Sequence, residues 1–254
     1  MILKGKKALV VGVANKRSLA WGVAQSFARE GAELCMTYQT ERLEKGVKEL
    51  ADTLPGTRTL MCDVMNDAQV VTLVEQLKAW GGIDILVHAV AFARTEDLEG
   101  DFKNVPIEGW HTALDVSAYS LVSLTRAVAP LMEGKAGSVL TLSFLGATRA
   151  VQNYNVMGVA KAALEASVRY LAMDLGPKGI RVNAVSAGPV RTLSAAGISN
   201  FAKMLDFVAE RAPLRRNIDQ AQVGDAAAFL ASELSRGVTG QVLFVDSGYN
   251  IVGV

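Results

Sequence analysis

Two residues able to handle developing negative charge, Tyr154 and Lys161, stand seven positions apart in Tyr154-Asn155-Val156-Met157-Gly158-Val159-Ala160-Lys161. A phenol can donate a hydrogen bond to an oxygen that is gaining charge, and a nearby ammonium stabilises such charge. Apolar residues recur beyond the tyrosine at helical spacing, at Val156, Ala160, Leu164, Val168, Leu171 and Leu175. Seven residues are nearly two turns, so the pattern predicts both side chains on one helical face, about 10 Å apart along the axis. Taken singly, the tyrosine also reads as a helix-start aromatic and the lysine as a solvated surface residue.

The elements that must position this pair follow from the apolar runs. Strand-like segments recur near Ala8–Val11, Glu33–Tyr38, Thr57–Cys62, Ile83–His88, Ser138–Leu142, Arg181–Val185 and Val242–Val245. Helical patterns fall between the early ones, near Ser18–Arg29, Glu41–Leu54 and Asp67–Trp80. That alternation predicts parallel βαβ units with right-handed crossovers. The expected fold class is α/β, a Rossmann-type doubly wound parallel sheet of about seven strands flanked by helices. With no repeat and no Pro/Ser-rich linker, one domain over residues 1–254 is the simplest organisation. Ser186 to Asn200, with Gly188, Pro189 and Gly197, lacks periodicity and precedes an amphipathic stretch ending near Arg211. Such segments are often lids, here expected near residues 192–206.

The first strand runs into Gly12-Val13-Ala14-Asn15-Lys16-Arg17-Ser18-Leu19-Ala20-Trp21-Gly22. A glycine at a strand end lets backbone approach a diphosphate, and the next helix start offers free N–H donors. Ser18 could add a hydroxyl donor and Gly22 a close helix–sheet contact. The spacing is not G-x-G-x-x-G, so an ordinary strand-turn-helix glycine remains open. At the end of the second strand Gln39 is neutral and Glu41 acidic, which disfavours a ribose 2′-phosphate and favours NADH, although Arg42 follows. Asp63 can equally serve a turn or a helix cap. The small residues of Val87-His88-Ala89-Val90-Ala91-Phe92-Ala93 suit close passage of a cofactor, with His88 read as structural.

Composition narrows the partners. The chain has 26 basic and 25 acidic residues, a net charge of +1, so no nucleic-acid or acidic-membrane footprint is expected. No apolar run reaches membrane-spanning length, and the N-terminus has no signal-peptide pattern. Cys35 and Cys62 read as buried reduced thiols, which predicts a cytoplasmic protein. Two histidines, His88 and His111, without a ligand cluster predict no metal.

The tyrosine–lysine pair downstream of a nucleotide-binding start resembles the short-chain dehydrogenase/reductases. Most of these space the pair by four, and no tyrosine here has a lysine four positions on. The wider spacing is similar to the divergent enoyl-acyl carrier protein reductases of bacterial fatty-acid synthesis. So are Gly12-x5-Ser18-x3-Gly22, Ser143-Phe144-Leu145-Gly146, Asn153-Tyr154-Asn155-Val156-Met157-Gly158, the run from Arg181 to Thr192 and Val245-Asp246-Ser247-Gly248. The resemblance implies reduction of a trans-2-enoyl thioester, carried by acyl carrier protein or coenzyme A, by NADH in a homotetramer. It implies cofactor contacts at Gly12, Val13, Ser18, Leu19, Gln39, Asp63, Val64, Ala89, Val90, Ala91, Lys161, Val190 and Thr192. Substrate contacts are implied at Phe92, Ala93, Phe144, Tyr154, Met157, Ile198, Phe201 and Met204. Most such enzymes carry a second tyrosine where this chain has Phe144, a ring that cannot donate a hydrogen bond. Two other readings stay open: a related reductase acting on another activated alkene or carbonyl, and a dinucleotide sensor without chemistry.

Overall fold

The computed structural model describes residues 1–192 and 201–253. It contains one seven-stranded sheet in which every pairing is parallel. The strands are β1 (Lys7–Val11), β2 (Glu33–Tyr38), β3 (Arg58–Met61), β4 (Ile85–His88), β5 (Ser138–Phe144), β6 (Arg181–Ala187) and β7 (Val242–Val245). Their order, β3-β2-β1-β4-β5-β6-β7, reverses between β1 and β4, and ligands of such folds bind outside the strand ends at this switch point. Strands Glu33–Tyr38 and Val242–Val245 lie where the apolar runs place them, and β6 runs two residues further than expected, through Ala187.

Helices α1 (Leu19–Arg29), α2 (Glu41–Ala51) and α3 (Asp67–Ala79) link the first four strands. In α1, Ala20, Val23, Ala24 and Phe27 repeat at i, i+3, i+4 and i+7 and are all buried. The helix stops at Gly31, φ +88°, where Gly31 N donates to Ala28 O and Ala32 N to Phe27 O. This is a Schellman ending, which glycine's left-handed freedom permits. A short turn, α4 (Thr95–Leu98), is followed by α5 (Ile107–Leu114) and α6 (Ser120–Val128). The apolar stretch 114–128 is therefore not one regular helix: a π-helical segment, Asp115–Tyr119, interrupts it. Downstream lie α7 (Asn155–Leu175), α8 (Phe201–Arg211) and α9 (Gln220–Ala231), the last opened by an Asp219–Gln222 capping box.

The sheet is covered on both faces, which is why its strands are nearly continuous apolar runs. Along β1, Ala8 and Val10 join a core with α1, α2 and α9, while Leu9 and Val11 join one with α3, α6 and α7. Cys35 and Cys62 are free buried thiols, and burial pushes them up to about 12 and about 11.

Gly22 serves a contact other than the helix–sheet one. A Cβ there would come 2.4 Å from the Gln220 carbonyl oxygen, and one on Gly224 would meet Gly22 O at 2.4 Å. Helices α1 and α9 thus touch through bare backbone. Gly22→Ala should cost about 1–3 kcal/mol, the usual range for overpacking. Urea unfolding would read this as a lower midpoint at unchanged slope, and an unaltered midpoint would contradict the close packing.

Candidate active site

Most of the singled-out residues gather at the carboxyl edge of the sheet. Gly12 follows β1 with φ +102°, and a Cβ on it would meet Ala89 O at 2.3 Å. Glycine is required here by the approach of the 89–93 segment as much as by any ligand. Val13 is 1% exposed and belongs to the core, so only its backbone can face a ligand. Ser18 occupies the N-cap position of α1, but its hydroxyl donates to Asn15 O at 2.7 Å, so in this state it is not a free donor. The first backbone N–H groups of a helix have no intrahelical partner, and at Leu19 and Ala20 they begin α1 beside this turn.

The ends of β2 and β3 meet through side chains. Gln39 Nε2 donates to Asp63 Oδ2 at 3.2 Å, and Asp63 Oδ1 accepts from Met65 N at 3.0 Å. Asp63 therefore has a turn role, while Asn66 caps α3. Val64 is buried in the core, and Glu41 and Arg42 are both exposed.

After β4, Ala89, Val90, Ala91, Phe92 and Ala93 pass along the same edge. Phe92 is 52% exposed, and the hydroxyl of Ser117 in the π-helical segment accepts from Phe92 N (2.9 Å) and donates to Phe92 O (3.1 Å). Sequence patterning missed Ser117, since a π turn disturbs the helical register that would mark it as inward. His88 is fully buried between Ser120 Oγ on Nε2 (2.8 Å) and Thr141 Oγ1 on Nδ1 (3.0 Å), the structural role expected of it.

Tyr154 is not on the helical face. It sits just before α7 at the N-cap position, between Asn153 (φ 60°) and Asn155 (φ 29°). Asparagine tolerates left-handed backbone better than most residues, which rationalises the Asn-Tyr-Asn context. The side chain amide of Asn155 donates to the Glu99 and Gly100 carbonyls, tying this turn to the loop after α4. The Tyr154 ring packs edge-on to Phe144 with centroids 4.9 Å apart. It joins Ala93, Leu98, Trp110 and Met157 in an apolar cluster. A Cβ on Gly146 would strike the Tyr154 ring at 2.5 Å, so that glycine makes room for it. Burial raises the phenol's pKa well above its usual value, keeping it protonated as a donor.

Lys161 is buried too, 6% exposed, and not a surface lysine. Its Nζ donates to Leu142 O at 2.8 Å, and burial lowers it to about 8, with Glu165 pulling the other way. An ammonium has three N–H donors, and among the described residues Leu142 O takes one of them, leaving two for a ligand. With the start of α1, Gln39 and these donors, the edge fits a dinucleotide: anion donors at one end, hydroxyl donors at the other.

A cavity of about 240 Å³ opens beside Phe144, lined also by Gly188, Pro189, Met204, Phe207, Val208 and Tyr249. Phe144 forms a wall of this cavity, and Met204 faces it from α8. Met157 does not line it, being packed beneath Tyr154. Phe207, Val208 and Arg211 were missed, although they lie three, four and seven positions beyond Met204, the signature of a shared helical face. The buried Ser186 hydroxyl on its wall has no hydrogen-bond partner among the described residues. Val190 and Thr192 are half-buried after β6, and Phe201 begins α8. Ile198, with the 193–200 part of the lid expected near 192–206, lies outside the described residues. Among the described residues no group of three or more His, Cys, Asp or Glu could hold a metal, and no helix is long and apolar enough to cross a membrane.

A family model described as enoyl-(acyl carrier protein) reductase matches residues 12–250. The NADH-dependent enoyl-acyl carrier protein reductase of Nostoc sp. is 52% identical over 256 residues, covering 99% of each chain. The Bacillus cereus enoyl-acyl carrier protein reductase, solved with NADP+ and indole naphthyridinone, superposes with a TM-score of 0.98 at 52% identity, covering 100% of this chain and 99% of that one. The Anaplasma phagocytophilum reductase solved with NAD gives 0.95 at 46% identity, covering 100% and 97%.

His88 yields a test of the site's electrostatics. Desolvation, aided by the Lys161 charge, lowers it from 6.5 to about 3, so the native ring stays neutral while an unfolded chain binds a proton below pH 6.5. Between those values the unfolded state holds more protons, so stability falls as pH falls, by up to about 1.4 kcal/mol per unit. His88→Gln should flatten this acid limb by about one proton in urea titrations from pH 7 to 4.5. An identical slope would place the proton elsewhere.

Proposed function

The chain belongs to the enoyl-acyl carrier protein reductase family, and we propose that it reduces a trans-2-enoyl thioester, carried by acyl carrier protein or coenzyme A, with NADH. One observation carries this reading: Tyr154 and Lys161 are both buried at the carboxyl edge, the tyrosine against the Phe144 wall of an apolar cavity. NADH, when bound, supplies the hydride that reaches the β-carbon.

The chain's own residues do the rest. As charge builds on the thioester oxygen, the Tyr154 hydroxyl donates a hydrogen bond to it, an oxyanion-hole role. The apolar cluster around the ring lowers the local dielectric, so that bond is worth more than in water. Lys161, anchored by Leu142 O, turns its remaining N–H donors to the nicotinamide-ribose hydroxyls and adds positive potential. With Phe144 at the second-tyrosine position, no hydroxyl relay passes through that residue. Gly12, Val13, Ser18 and Leu19 take the diphosphate, Gln39 the adenosine ribose, Asp63 and Val64 the adenine. Ala89, Val90 and Ala91 pass beside the cofactor, and Val190 and Thr192 hold its carboxamide. Phe92, Ala93, Phe144, Phe201 and Met204 face the acyl chain, the last two from α8, in a single reductase domain.

A cytoplasmic homotetramer completes the reading. Tyr119, Tyr170 and Met173, on the 115–119 segment and α7, are 50%, 74% and 80% exposed, and they supply apolar surface for a second copy.

Tyr154→Phe should lower kcat on a crotonyl thioester by roughly 10²–10³-fold with NADH affinity retained, whereas Lys161→Ala should weaken NADH binding as well. Near-normal turnover in Tyr154→Phe would remove the tyrosine from the chemistry. Gln39 and Glu41 lead us to expect kcat/KM for NADH to exceed that for NADPH by at least about tenfold, or ~1.4 kcal/mol. Parallel kinetics with both cofactors measure it; equal values would mean that Arg42 neutralises the 2′-phosphate.

A further inference from the structure

Glu165 is a buried carboxylate, 6% exposed, one turn beyond Lys161 on α7. An ionised carboxylate is costly to bury unless it is paired and hydrogen-bonded. Ser143 Oγ donates to Glu165 Oε1 at 2.6 Å, from the residue after the carbonyl that anchors Lys161. Among the described residues no ion pair within 4.0 Å involves this carboxylate; Lys161 and Arg169 act on it from further off. A glutamine would pack and accept from Ser143 equally well, so shape alone gives no reason for a charge here.

We propose that Glu165, held by Ser143, is a positioning residue that keeps Lys161 protonated and its free N–H donors aimed at the cofactor ribose. This rests on the reading of Lys161 given above. Glu165 lies on the lysine's own helix with Arg169 a turn further, Tyr154 precedes that helix, and His88 approaches from β4. Asp115 and Tyr119 of the adjoining π-helical segment are exposed. His88 is neutral above about 3, Tyr154 is raised by burial, and the two cysteines lie at about 11 and 12. Glu165 is itself raised by burial, and the Ser143 hydrogen bond and the charges of Arg169 and Lys161 pull it back down.

The test follows NADH affinity, by fluorescence, and kcat/KM with a crotonyl thioester from pH 6 to 9.5 on the full chain. Wild type should lose both through an alkaline limb near pH 8. Glu165→Gln should move that limb down by about one pH unit, a tenfold loss of proton affinity, with kcat at pH 6 within about threefold of wild type. Ser143→Ala should shift it the same way by less, and Glu165→Asp should restore part of it. Lys161→Arg, which cannot deprotonate, should abolish the limb. An unmoved limb in Glu165→Gln, or in Ser143→Ala should the glutamine variant not fold, overturns the inference. A limb persisting in Lys161→Arg overturns the lysine reading and this inference with it.

Discussion

A primary ammonium buried between α7 and the end of β5 is the constraint around which the site is built. Among the described residues Lys161 has one protein acceptor, the Leu142 carbonyl, and a buried cation with unmet donors is costly. The arrangement requires α7 to lie close against the strand ends. Small residues permit it: a Cβ on Gly158 would already sit 3.0 Å from Gly146 O. The same close approach brings Gly146 under the Tyr154 ring. Backbone bareness at two glycines thus sets the distance between the cation and the phenol.

The phenol's surroundings are the complement of the lysine's. Tyr154 lies among Leu98, Met157, Ala160 and the Phe144 edge, and burial raises its pKa. Desolvation there makes ionisation harder and makes a donated hydrogen bond stronger. A tyrosine meant to surrender its proton readily would need cations close by. This one is arranged to hold its proton while sharing it. Replacing the Phe144 ring by a hydroxylated one would add a second donor to the wall but also a polar group needing a partner.

The sheet was legible because parallel strands covered on both faces are nearly continuous apolar runs, as in β1 and β4. The helix bounds fall at a side-chain cap and a glycine ending, as at Asn66 and Gly31. Tyr154 shows where periodicity fails. Spacing put it on a helical face, but Asn153 and Asn155 turn the chain before the helix begins, and periodicity carries no sign of left-handed backbone. The wall made by Phe207, Val208 and Tyr249 was hidden for a different reason. It unites α8 with the end of the chain, and pattern reading sees only neighbours in sequence. Ser117 and Glu165 escaped notice, and Ser143 stood only as part of a motif, because single polar residues in apolar stretches acquire meaning only from what they touch across the fold.

The π-helical segment ties these parts together. Its wide turn accompanies the inward placement of Ser117 and Ser120, both fully buried, the first on the Phe92 backbone and the second on His88. A neutral imidazole has one donor and one acceptor, so only one of its two hydroxyl neighbours can give it a proton. Ser120 Oγ lies 2.6 Å from Val116 O, while Thr141 Oγ1 lies 3.1 Å from His88 O. The shorter contact is the one worth keeping. Thr141 then donates to Nδ1, and Nε2–H donates to Ser120, whose own proton stays on Val116. In that tautomer every group is satisfied and the ring carries no charge. A protonated ring would set a second cation near Lys161 in a dry interior and favour loss of the lysine's proton. The hydroxyls on both sides of His88 thus let a polar residue close the gap between β4, β5 and α6 without competing for the one positive charge the site uses.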